Sequence, residues 1–422
     1  MHFVGNLCPK PCPRHTTLNC ARQAWRFRFI VECLTTVGIA QTQTAPETLT
    51  TSDHERHRVK GAFQGIFENR RILVTGQTGF KGSWLCLWLK EMGASVLGFS
   101  LAPPSAPSHW DLLRLDMPSV EGDIRDAAAL DRTMNEFKPE LVFHLAAQTL
   151  VRESYRSPID TFSTNVVGTL NVYEASRKAG SVRAIVSITT DKVYKNNEWE
   201  WGYREVDAFG GHDPYSASKA CVEIASSSYR DSFWPLSAYG TKHHTLLCTA
   251  RAGNVIGGGD WAADRLIPDL MRGAGSGAVA SIRNPNSTRP WQHVLEPLCG
   301  YLLLASRLLA GDVKFAEGWN FGPNEDGAVT VSEVVTRMQR AWGAIRAETK
   351  VDPNAPHEAR LLMLDCSKAR ARLGWIPVWD GLSTAEITAS WYRRWYEKGE
   401  LVSSDDIKRY IEDARQRGVR GI

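Results

Sequence analysis

The spacing of apolar and polar residues after position 70 predicts a βαβ unit. An apolar strand is predicted over Arg71–Thr75, a helix over Ser83–Met92 from the spacing of its apolar residues, and a second strand over Ser95–Phe99. Three glycines at three-residue spacing lie between the first strand and the helix: Gly76, Gly79 and Gly82. Such glycines let the backbone and the helix N-terminus approach a pyrophosphate closely. The pattern therefore predicts a dinucleotide-binding turn.

Further strands are predicted within "PSVEGDIRD", "ELVFHLAAQ" and "SVRAIVSITT". The second of these is almost continuously apolar, as expected of a parallel strand that is buried on both faces. After Asn254 the regular alternation gives way to loops, short strands and helices. We therefore predict an α/β fold, a Rossmann-type doubly wound parallel sheet with a smaller C-terminal α/β substrate-binding lobe.

Composition and charge exclude several classes of protein. The 422 residues are 43 % hydrophobic and 23 % charged, which is typical of a soluble globular protein. No apolar run reaches the roughly 18 to 20 residues that a membrane span needs. Residues 1–60 hold eight Lys/Arg and four Asp/Glu, so the remainder carries 42 of each sign and the net charge of +4 comes from the N-terminal end. We expect neither a nucleic acid nor a membrane as partner.

The nine cysteines indicate a reducing compartment, so a cytoplasmic location is expected. Cys8, Cys12 and Cys20 have the wrong spacing for a zinc ribbon, and no metal is predicted. Five cysteines lie among apolar neighbours and are predicted to be buried free thiols: Cys86, Cys221, Cys248, Cys299 and Cys366.

Two motifs carry candidate chemistry. In "TTDKVY", Thr190, Asp191 and Lys192 follow a predicted strand, at the edge where doubly wound sheets bind ligands. In "DPYSASK", Tyr215 and Lys219 are four residues apart and share one face of a helix. A nearby ammonium is expected to lower the pKa of the phenol and to hold a nicotinamide ribose, so that Tyr215 takes a hydroxyl proton as hydride leaves the same carbon.

The glycine spacing and the Tyr–Lys pair resemble the extended short-chain dehydrogenase/reductase superfamily. "GFSLAPPS" has neither the usual ribose-binding acid nor an arginine for a 2′-phosphate, so NAD is favoured over NADP as cofactor. The resemblance implies that Asp123 and Ile124 contact adenine and that the cofactor passes Ala146 and Ala147. The implied cofactor-binding residues are Gly76, Thr78, Gly79, Phe80, Lys81, Gly82, Asp123, Ile124, Ala146, Ala147, Gln148, Tyr215 and Lys219.

A narrower resemblance covers residues 65–395. "TTDKVY", "FKGSWL", "VFHLAAQTLVR", "GGHDPYSASK", "RAGNVIGGGDWAADRLIPD" and "RPWQHVLEPLCGYL" together look like the CDP-glucose 4,6-dehydratase family. Enzymes for dTDP-glucose have Asp-Glu where this chain has Asp191-Lys192. The resemblance implies oxidation at C4 by Tyr215 and NAD⁺, with Thr190 bound to the 4-oxygen. Water is then eliminated across C5–C6, with Lys192 as base and Asp191 as acid, and hydride returns to C6.

The implied product is CDP-4-dehydro-6-deoxy-D-glucose, for deoxysugar biosynthesis such as that of lipopolysaccharide O-antigen. A base role for Lys192 requires its pKa to fall toward neutrality, and the alternative is a solvated lysine with water or another group as base. The competing functions are another nucleotide-sugar 4,6-dehydratase, a 4-epimerase, and a non-catalytic NAD-sensing relative.

The resemblance also implies a substrate clamp and a dimer. The implied substrate-binding residues are Arg152, Asn254, Arg283, Arg289, His293 and His357. An arginine suits a diphosphate because its planar fork binds two oxygens. Two helical patterns, "SPIDTFSTNVVGTLNVYEASRKAG" and "PYSASKACVEIASSSYRDSFW", commonly pair across a dimer axis in this superfamily, so a homodimer is expected.

These assignments divide the chain into segments. We predict a NAD-binding Rossmann domain over residues 67–253, with a returning segment at about 291–323. Residues 254–290 and 324–400 are predicted to form the nucleotide-sugar-binding lobe, and 401–422 a C-terminal tail. Residues 1–66 are predicted to be an unstructured or spurious N-terminal extension. If the extension is spurious, translation truly starts near Val59. A transit peptide is the less favoured alternative.

Overall fold

The computed structural model describes residues 59–262, 265–323, 329–350 and 362–422. The strands, numbered in chain order, are β1 (Arg71–Thr75), β2 (Ser95–Ser100), β3 (Ser119–Glu121), β4 (Leu141–His144), β5 (Ala184–Ile188), β6 (Leu246–Ala252), β7 (Val255–Ile256), β8 (Ala280–Ile282), β9 (Thr288–Arg289), β10 (Gln292–His293), β11 (Gly318–Phe321), β12 (Val329–Thr330) and β13 (Ala347–Thr349).

The helices are α1 (Phe80–Glu91), α2 (His109–Leu113), α3 (Ala127–Phe137), α4 (Val151–Arg156), α5 (Pro158–Phe162), α6 (Gly168–Ala179), α7 (Pro214–Ser232), α8 (Leu266–Ser276), α9 (Leu295–Leu309), α10 (Val331–Ala341), α11 (Gly381–Lys398) and α12 (Ser403–Gln416). A π-helical turn at Ser163–Val167 joins α5 to α6, and single 3₁₀ turns occur at Ala62–Gly65, Asp191–Val193, Leu236–Ala238 and Val313–Phe315.

Seven strands form one parallel sheet in the order β11-β6-β5-β4-β1-β2-β3. The central strands β4, β5 and β6 are buried along their whole length, because helices cover both faces of the sheet. The order reverses between β1 and β4, and a crevice at such a switch point is where doubly wound sheets bind ligands. The predicted α/β architecture is thus observed. β11 lies within the segment predicted to return to the sheet.

The C-terminal lobe is built from small strand pairs and helices. β8 pairs in parallel with β13, and β9 pairs antiparallel with β12. α10 begins with a capping box, in which the hydroxyl of Thr330 and the carboxylate of Glu333 each bind the other residue's backbone N–H. Its buried side chains include Val331, Val334 and Met338, at helical spacing.

Packed residues are already present before the predicted boundary at residue 66. Val59 and Phe63 are almost completely buried, and the ring of Phe63 contacts the ring of Phe67 with a centroid distance of 5.6 Å. Apolar burial stabilises this segment in spite of its weak periodicity. The extension predicted at 1–66 is therefore wrong for residues 59–66, and its first 58 residues lie outside the described part of the chain.

Residues 401–422 are a packed helix with its flanking turns rather than a tail. α12 buries Ile407, Tyr410 and Ile411, and Ser403 at its start donates to or accepts from Nε2 of His109 at 2.8 Å. Nδ1 of His109 lies 2.8 Å from the hydroxyl of Ser83 in α1. The buried His109 therefore joins the helix after the glycine turn to the last helix of the chain.

A buried carboxylate in α9 also binds the C-terminal region. Glu296 accepts hydrogen bonds from the backbone N–H groups of Val378 and Trp379 and from the hydroxyl of Tyr410 at 2.8 Å. Burial raises the pKa of Glu296 to about 7 from 4.5, although these hydrogen bonds act in the opposite direction.

The raised pKa of Glu296 predicts that stability falls as the pH rises from about 4.5 to 7. In this window the folded protein binds the proton and the unfolded chain does not, so deprotonation favours unfolding by about 1 to 3 kcal/mol. The measurement is the free energy of unfolding against pH for the wild type and Glu296→Gln. The difference between the two curves should change across this window and be flat above it. Parallel curves would contradict the prediction.

The cysteines agree with the prediction in four of five positions. Cys86, Cys248, Cys299 and Cys366 are buried free thiols, whereas Cys221 is half-buried because its position on α7 lies at the edge of the buried face. Among the helices that the structure describes, none combines the length and apolar character needed to cross a bilayer.

Candidate active site

The glycine turn after β1 brings three backbone segments into contact. Gly76 has a positive φ of 77°, and a Cβ there would lie 2.7 Å from the backbone nitrogen of Ala146. A Cβ on Gly82 would lie 2.1 Å from the carbonyl oxygen of Gly76, so only glycine lets α1 pack this closely on the turn. Gly79 precedes the first residue of α1, which begins at Phe80 rather than at the predicted Ser83. The backbone N–H groups at this helix start suit a diphosphate.

Hydroxyl groups occupy the end of β2 where the superfamily usually has an acid. The hydroxyl of Thr78 donates to the carbonyl of Leu101 at 2.9 Å and lies 2.8 Å from the hydroxyl of Ser100. Neither side chain is charged, so this end of β2 provides no cation for a 2′-phosphate. The amide of Gln77 lies deeper and donates to Ser119 at 3.0 Å.

The residues predicted to border adenine lie beyond β3. Asp123 forms an ion pair with Arg125 at 2.6 Å, and the hydrogen bonds of Arg125 hold the pKa of Asp123 below its usual value. Ile124 is buried against Gly168 of α6, where a Cβ would lie 2.6 Å from its side chain. Ile124 thus packs into the protein beside the turn, while Asp123 stays partly exposed.

The loop after β4 is fixed in place by hydrogen bonds to side chains. Ala146 and Ala147 are partly buried, and the backbone N–H of Ala146 donates to Thr75 at 3.3 Å. Gln148 binds Thr161 through its side-chain amide at 3.0 Å and Asn165 through its backbone N–H at 2.8 Å. Small side chains therefore line this edge, and Gln148 fixes the loop to the helices beside it.

The "TTDKVY" segment forms a buried turn at the end of β5. Thr190 and Asp191 are only 5 % and 3 % exposed. The hydroxyl of Thr190 donates to Oδ1 of Asp191 at 2.9 Å, and Nζ of Lys192 donates to the same oxygen at 3.1 Å. Thr190 caps the turn by accepting from the backbone N–H of Lys192. One carboxylate oxygen thus receives two hydrogen bonds.

Tyr215 and Lys219 lie on the first turns of α7, which begins with Asp213 as cap and Pro214 in the first turn. Burial raises the pKa of Tyr215, and Lys192 and a hydrogen bond with Thr190 act against this rise. Lys219 instead donates to the carbonyl of Ile188 at 3.0 Å. The prediction that Lys219 lowers the pKa of the phenol is therefore wrong for this form of the protein, because its ammonium is directed at the end of β5.

The two other lysines of the site differ in their pKa. Burial lowers the pKa of Lys192, but Asp191, Tyr215 and Asp213 outweigh it and raise the pKa above its usual value. The lowered pKa that a base role for Lys192 requires is thus not observed here, because the ion pair with Asp191 stabilises the ammonium. Burial lowers the pKa of Lys81 to about 8, and the nearby Asp191 opposes this. Lys81, predicted at the cofactor, is therefore also close to the catalytic turn.

A buried ion pair beneath this turn was not predicted. Glu223 and Arg251 are 1 % and 3 % exposed, and their side chains meet at 2.8 Å. Glu223 also accepts hydrogen bonds from Thr189 and from Thr249, and Arg251 donates to the hydroxyl of Tyr194 at 2.6 Å. The pair therefore connects both ends of the catalytic turn to α7 and β6. The sequence feature that could have indicated this ion pair is Glu223, which lies four residues after Lys219 and therefore on the same helix face.

Two of the predicted substrate residues are next in the chain to residues that lie near the catalytic carboxylate. A Cβ on Gly253 would lie 3.1 Å from Oδ2 of Asp191 and 3.7 Å from Pro290. The neighbours of these residues in the chain are Asn254, which is exposed, and Arg289, which is half-buried. The turn after β6 and the strand β9 therefore meet beside Asp191.

The other predicted substrate residues are not brought to this point. Arg152 and Arg283 are exposed, and Arg283 borders a shallow hollow with Asp269 of α8. His293 is completely buried between the rings of Trp84 and Trp379, so the prediction that it contacts substrate is wrong for this conformation. Aromatic packing, rather than a ligand, accounts for the position of His293. His357 lies outside the described residues.

One cation near the site was missed. Arg265, just before α8, forms an ion pair with Asp260 at 3.0 Å, and its charge acts on both Tyr215 and Lys81. Arg265 lies within the motif "RAGNVIGGGDWAADRLIPD", but no spacing or charge pattern in the sequence distinguishes it. Within the described ranges, no group of three or more His, Cys, Asp or Glu side chains is arranged to hold a metal ion.

Comparison with known proteins shows the family to which the chain belongs. Residues 73–385 match the model of a family described as GDP-mannose 4,6 dehydratase. The CDP-glucose 4,6-dehydratase of Salmonella typhimurium is 49 % identical over 352 residues, which cover 83 % of this chain and 97 % of that enzyme. The dTDP-glucose 4,6-dehydratase of Shigella flexneri is 27 % identical over 366 residues, covering 81 % of this chain and 98 % of that enzyme.

Solved structures confirm the predicted fold. The UDP-glucose 4-epimerase of Thermotoga maritima superposes with a TM-score of 0.66 at 23 % identity, covering 77 % of this chain and 99 % of that one. The dTDP-glucose 4,6-dehydratase of Bacillus anthracis, solved in complex with NAD, gives a TM-score of 0.64 at 20 % identity over 78 % of this chain and 98 % of that one. The chain belongs to the GDP-mannose 4,6 dehydratase family and, within it, to the CDP-glucose 4,6-dehydratases.

Proposed function

We propose that this chain is a hydro-lyase that converts CDP-D-glucose into CDP-4-dehydro-6-deoxy-D-glucose. The observation that carries the proposal is the cluster of Thr190, Asp191, Lys192 and Tyr215, linked by hydrogen bonds or charge at the end of β5. A 4-epimerase needs reversible oxidation at C4 alone, and an acid beside a lysine has no task in that reaction. The identity of 49 % to a CDP-glucose 4,6-dehydratase supports the same conclusion.

The residues present fit NAD as cofactor. Side chains at Gly76 and Gly82 would collide with the backbone at Ala146 and at Gly76 itself, so glycine at both positions allows the tight turn that precedes α1. The backbone N–H groups at the start of α1 suit a diphosphate. The uncharged Thr78 and Ser100 at the end of β2 favour NAD over NADP. Lys219, which donates to the carbonyl of Ile188 at the end of β5, is proposed to hold the nicotinamide ribose. When bound, the cofactor would supply a hydride acceptor for the oxidation at C4 and a hydride donor for the reduction at C6.

The residues divide the proton transfers among them. Tyr215 takes the proton of the 4-hydroxyl as a phenolate, so the raised pKa of its phenol has to fall when cofactor and sugar bind, and Thr190 hydrogen-bonds the 4-oxygen. The 4-ketone then acidifies the C5 proton, which Lys192 removes, while Asp191 gives a proton to the leaving 6-hydroxyl. Each such transfer contributes about 10² to 10⁴ in rate.

The ion pair of Lys192 and Asp191 is compatible with these roles. Moving one proton from the ammonium to the carboxylate gives a neutral amine and a carboxylic acid, which are the base and the acid that elimination needs. The ion pair and the neutral pair contain the same number of protons. A sugar that excludes water from this pair favours the neutral form, because charged groups lose more solvation than neutral ones.

The substrate diphosphate is assigned to Asn254 and Arg289, whose chain neighbours Gly253 and Pro290 lie close together, with Gly253 beside Asp191. Arg152 and Arg283, both exposed, are proposed to contact the outer part of the nucleotide. One arginine guanidinium can bind two diphosphate oxygens at the same time. The product suits a pathway of deoxysugar biosynthesis such as that of lipopolysaccharide O-antigen. We assign it to the cytoplasm, in line with the free thiols of the described residues.

A substrate panel tests the proposed function. The purified protein is supplied with NAD⁺ and with CDP-, dTDP-, GDP- or UDP-glucose, and loss of one water is followed by mass spectrometry. CDP-glucose alone should be dehydrated. If CDP-glucose is unchanged while another sugar nucleotide is dehydrated or epimerised, the substrate assignment is wrong.

A homodimer is proposed through the helices α5, α6 and α7, which contain the two predicted patterns. This surface exposes large apolar side chains, including Ile159 of α5 at 82 % and Ile224 of α7 at 58 %. Apolar side chains at this exposure are costly in water unless a second copy covers them. Ile159→Asp combined with Ile224→Asp should convert a dimer into a monomer by sedimentation or light scattering. Val206→Asp, at an equally exposed loop position (82 %), is the control and should remain a dimer.

A further inference from the structure

Tyr194, directly after the catalytic turn at residues 190–193, is bound by two neighbouring strands of the large sheet. Its side chain is buried, and its hydroxyl accepts a hydrogen bond from Arg251 of β6 at 2.6 Å. The same hydroxyl donates to Oδ1 of Asn320 of β11 at 2.8 Å. Arg251 and Asn320 are paired in the parallel register of β6 and β11, so adjacent strand positions hold one hydroxyl. The end of the catalytic turn is therefore fixed by the sheet as well as by its own hydrogen bonds.

The side-chain amide of Asn320 has partners at both of its ends. Its nitrogen donates to the backbone carbonyl of Tyr203 at 2.8 Å and to that of Asp365 at 3.2 Å, while its oxygen accepts from Tyr194. Carbonyl oxygens can only accept, so these two carbonyls fix which end of the amide faces them. Asn320 is completely buried, and a buried group that loses its partner is costly. Leucine and aspartate have a similar shape, but neither offers these two donors.

The two carbonyls belong to a short backbone pairing between the loop after the catalytic turn and residues 363–365. The backbone N–H of Tyr203 donates to the carbonyl of Met363 at 2.8 Å, and that of Asp365 donates to the carbonyl of Tyr203 at 2.9 Å. The ring of Tyr203 also stacks on the ring of Tyr194, with a centroid distance of 5.3 Å and an interplanar angle of 15°. Residues 363–365 fall within the segment predicted to form the nucleotide-sugar-binding lobe. One amide thus connects that segment to the catalytic turn.

We propose that Asn320 is a positioning residue that acts through Tyr194 to hold the catalytic turn in place relative to residues 363–365. This inference rests on the proposed function, in which Asp191 and Lys192 of the turn carry out the elimination of water. Tyr215, which oxidises C4 together with the cofactor, is positioned by α7 instead. Loss of the bond between Asn320 and Tyr194 should therefore displace the groups of the elimination more than the group of the oxidation. A displacement of about 1 Å can slow a step about 10²-fold.

Three variants separate this role from a general contribution to stability. Tyr194→Phe keeps the ring that stacks on Tyr203 and removes only the hydroxyl. Asn320→Leu keeps a similar volume and removes all three hydrogen bonds of the amide. Tyr173→Phe is the matched control, because it also removes a buried phenolic hydroxyl, one that lies 2.7 Å from the hydroxyl of Ser226 between α6 and α7.

The experiment mixes each holoenzyme rapidly with CDP-glucose and follows the absorbance of the reduced cofactor together with the formation of product. Elimination precedes the return of hydride, so a slow elimination leaves the cofactor reduced. Tyr194→Phe and Asn320→Leu should accumulate reduced cofactor and lower kcat by about 10- to 100-fold, with a smaller change in KM for CDP-glucose. The wild type and Tyr173→Phe should show no such accumulation. The double variant of Tyr194 and Asn320 should be about as slow as the slower single variant, because both act along one connection.

An unchanged kcat in Tyr194→Phe would overturn the inference. A lower kcat without accumulation of reduced cofactor would do the same, since a general loss of structure slows oxidation and elimination alike. Effects that multiply in the double variant would show that Asn320 acts independently of Tyr194. If Asn320→Leu does not fold, the accumulation of reduced cofactor in Tyr194→Phe, or its absence, decides alone. A wild type that does not dehydrate CDP-glucose would instead refute the proposed function.

Discussion

Glu223→Gln is expected to lower the free energy of unfolding by about 3 to 5 kcal/mol, because it leaves the charge of Arg251 buried without a counter-charge. The two side chains are almost completely buried and meet at 2.8 Å. Chemical denaturation measures the effect. Glu174→Gln, which breaks an exposed pair with Arg177, is the matched control and should cost less than about 1 kcal/mol.

The double variant Glu223→Leu with Arg251→Met should recover much of this stability, since it removes both charges together. Its activity should nevertheless stay low, because Thr189 and Tyr194 lose the partners that hold the catalytic turn. If Glu223→Gln were as stable as the wild type, the pair would not be the buried ion pair that the structure describes.

Tyr215→Phe is expected to lower kcat by about 10² to 10⁴, because it removes the group that takes the 4-hydroxyl proton. Affinity for NAD⁺ should change little, since Lys219 and the glycine turn remain. Product formation from CDP-glucose and cofactor titration by fluorescence measure the two quantities separately.

Tyr301→Phe is the matched control for this variant. The hydroxyl of Tyr301 is buried in α9 and has no hydrogen-bond partner among the described residues. Removing an unsatisfied buried hydroxyl should leave kcat unchanged and stability equal or slightly higher. A Tyr215→Phe enzyme with near wild-type kcat would show that another group takes the proton.

The sheet could be predicted from the sequence because its strands are short apolar runs that end at glycines or small residues, as at Thr75 before Gly76. The positions of Tyr215 and Lys219 followed from helical spacing in the same way. These features depend on local periodicity, which a sequence contains directly.

What could not be predicted depends on partners far apart in the chain. The pKa of Lys192 is raised because Asp191, Tyr215 and Asp213 surround its ammonium, and their relative positions arise only in the fold. His293 matched a substrate motif but is enclosed by Trp84 and Trp379, which come from distant segments. Residues 401–422 looked like a tail because their moderate apolar content gives no indication of the surface that α12 covers.

The hydrogen bonds of His109 to Ser83 and to Ser403 have a consequence for how such enzymes can exchange parts. The first helix after the cofactor turn and the last helix of the chain are joined by one imidazole, although Ser403 lies 294 positions after His109. A chimaera that takes its N-terminal half from one relative and its C-terminal half from another would have to match these three positions. Recombination within this family should therefore succeed more often when both ends come from the same parent.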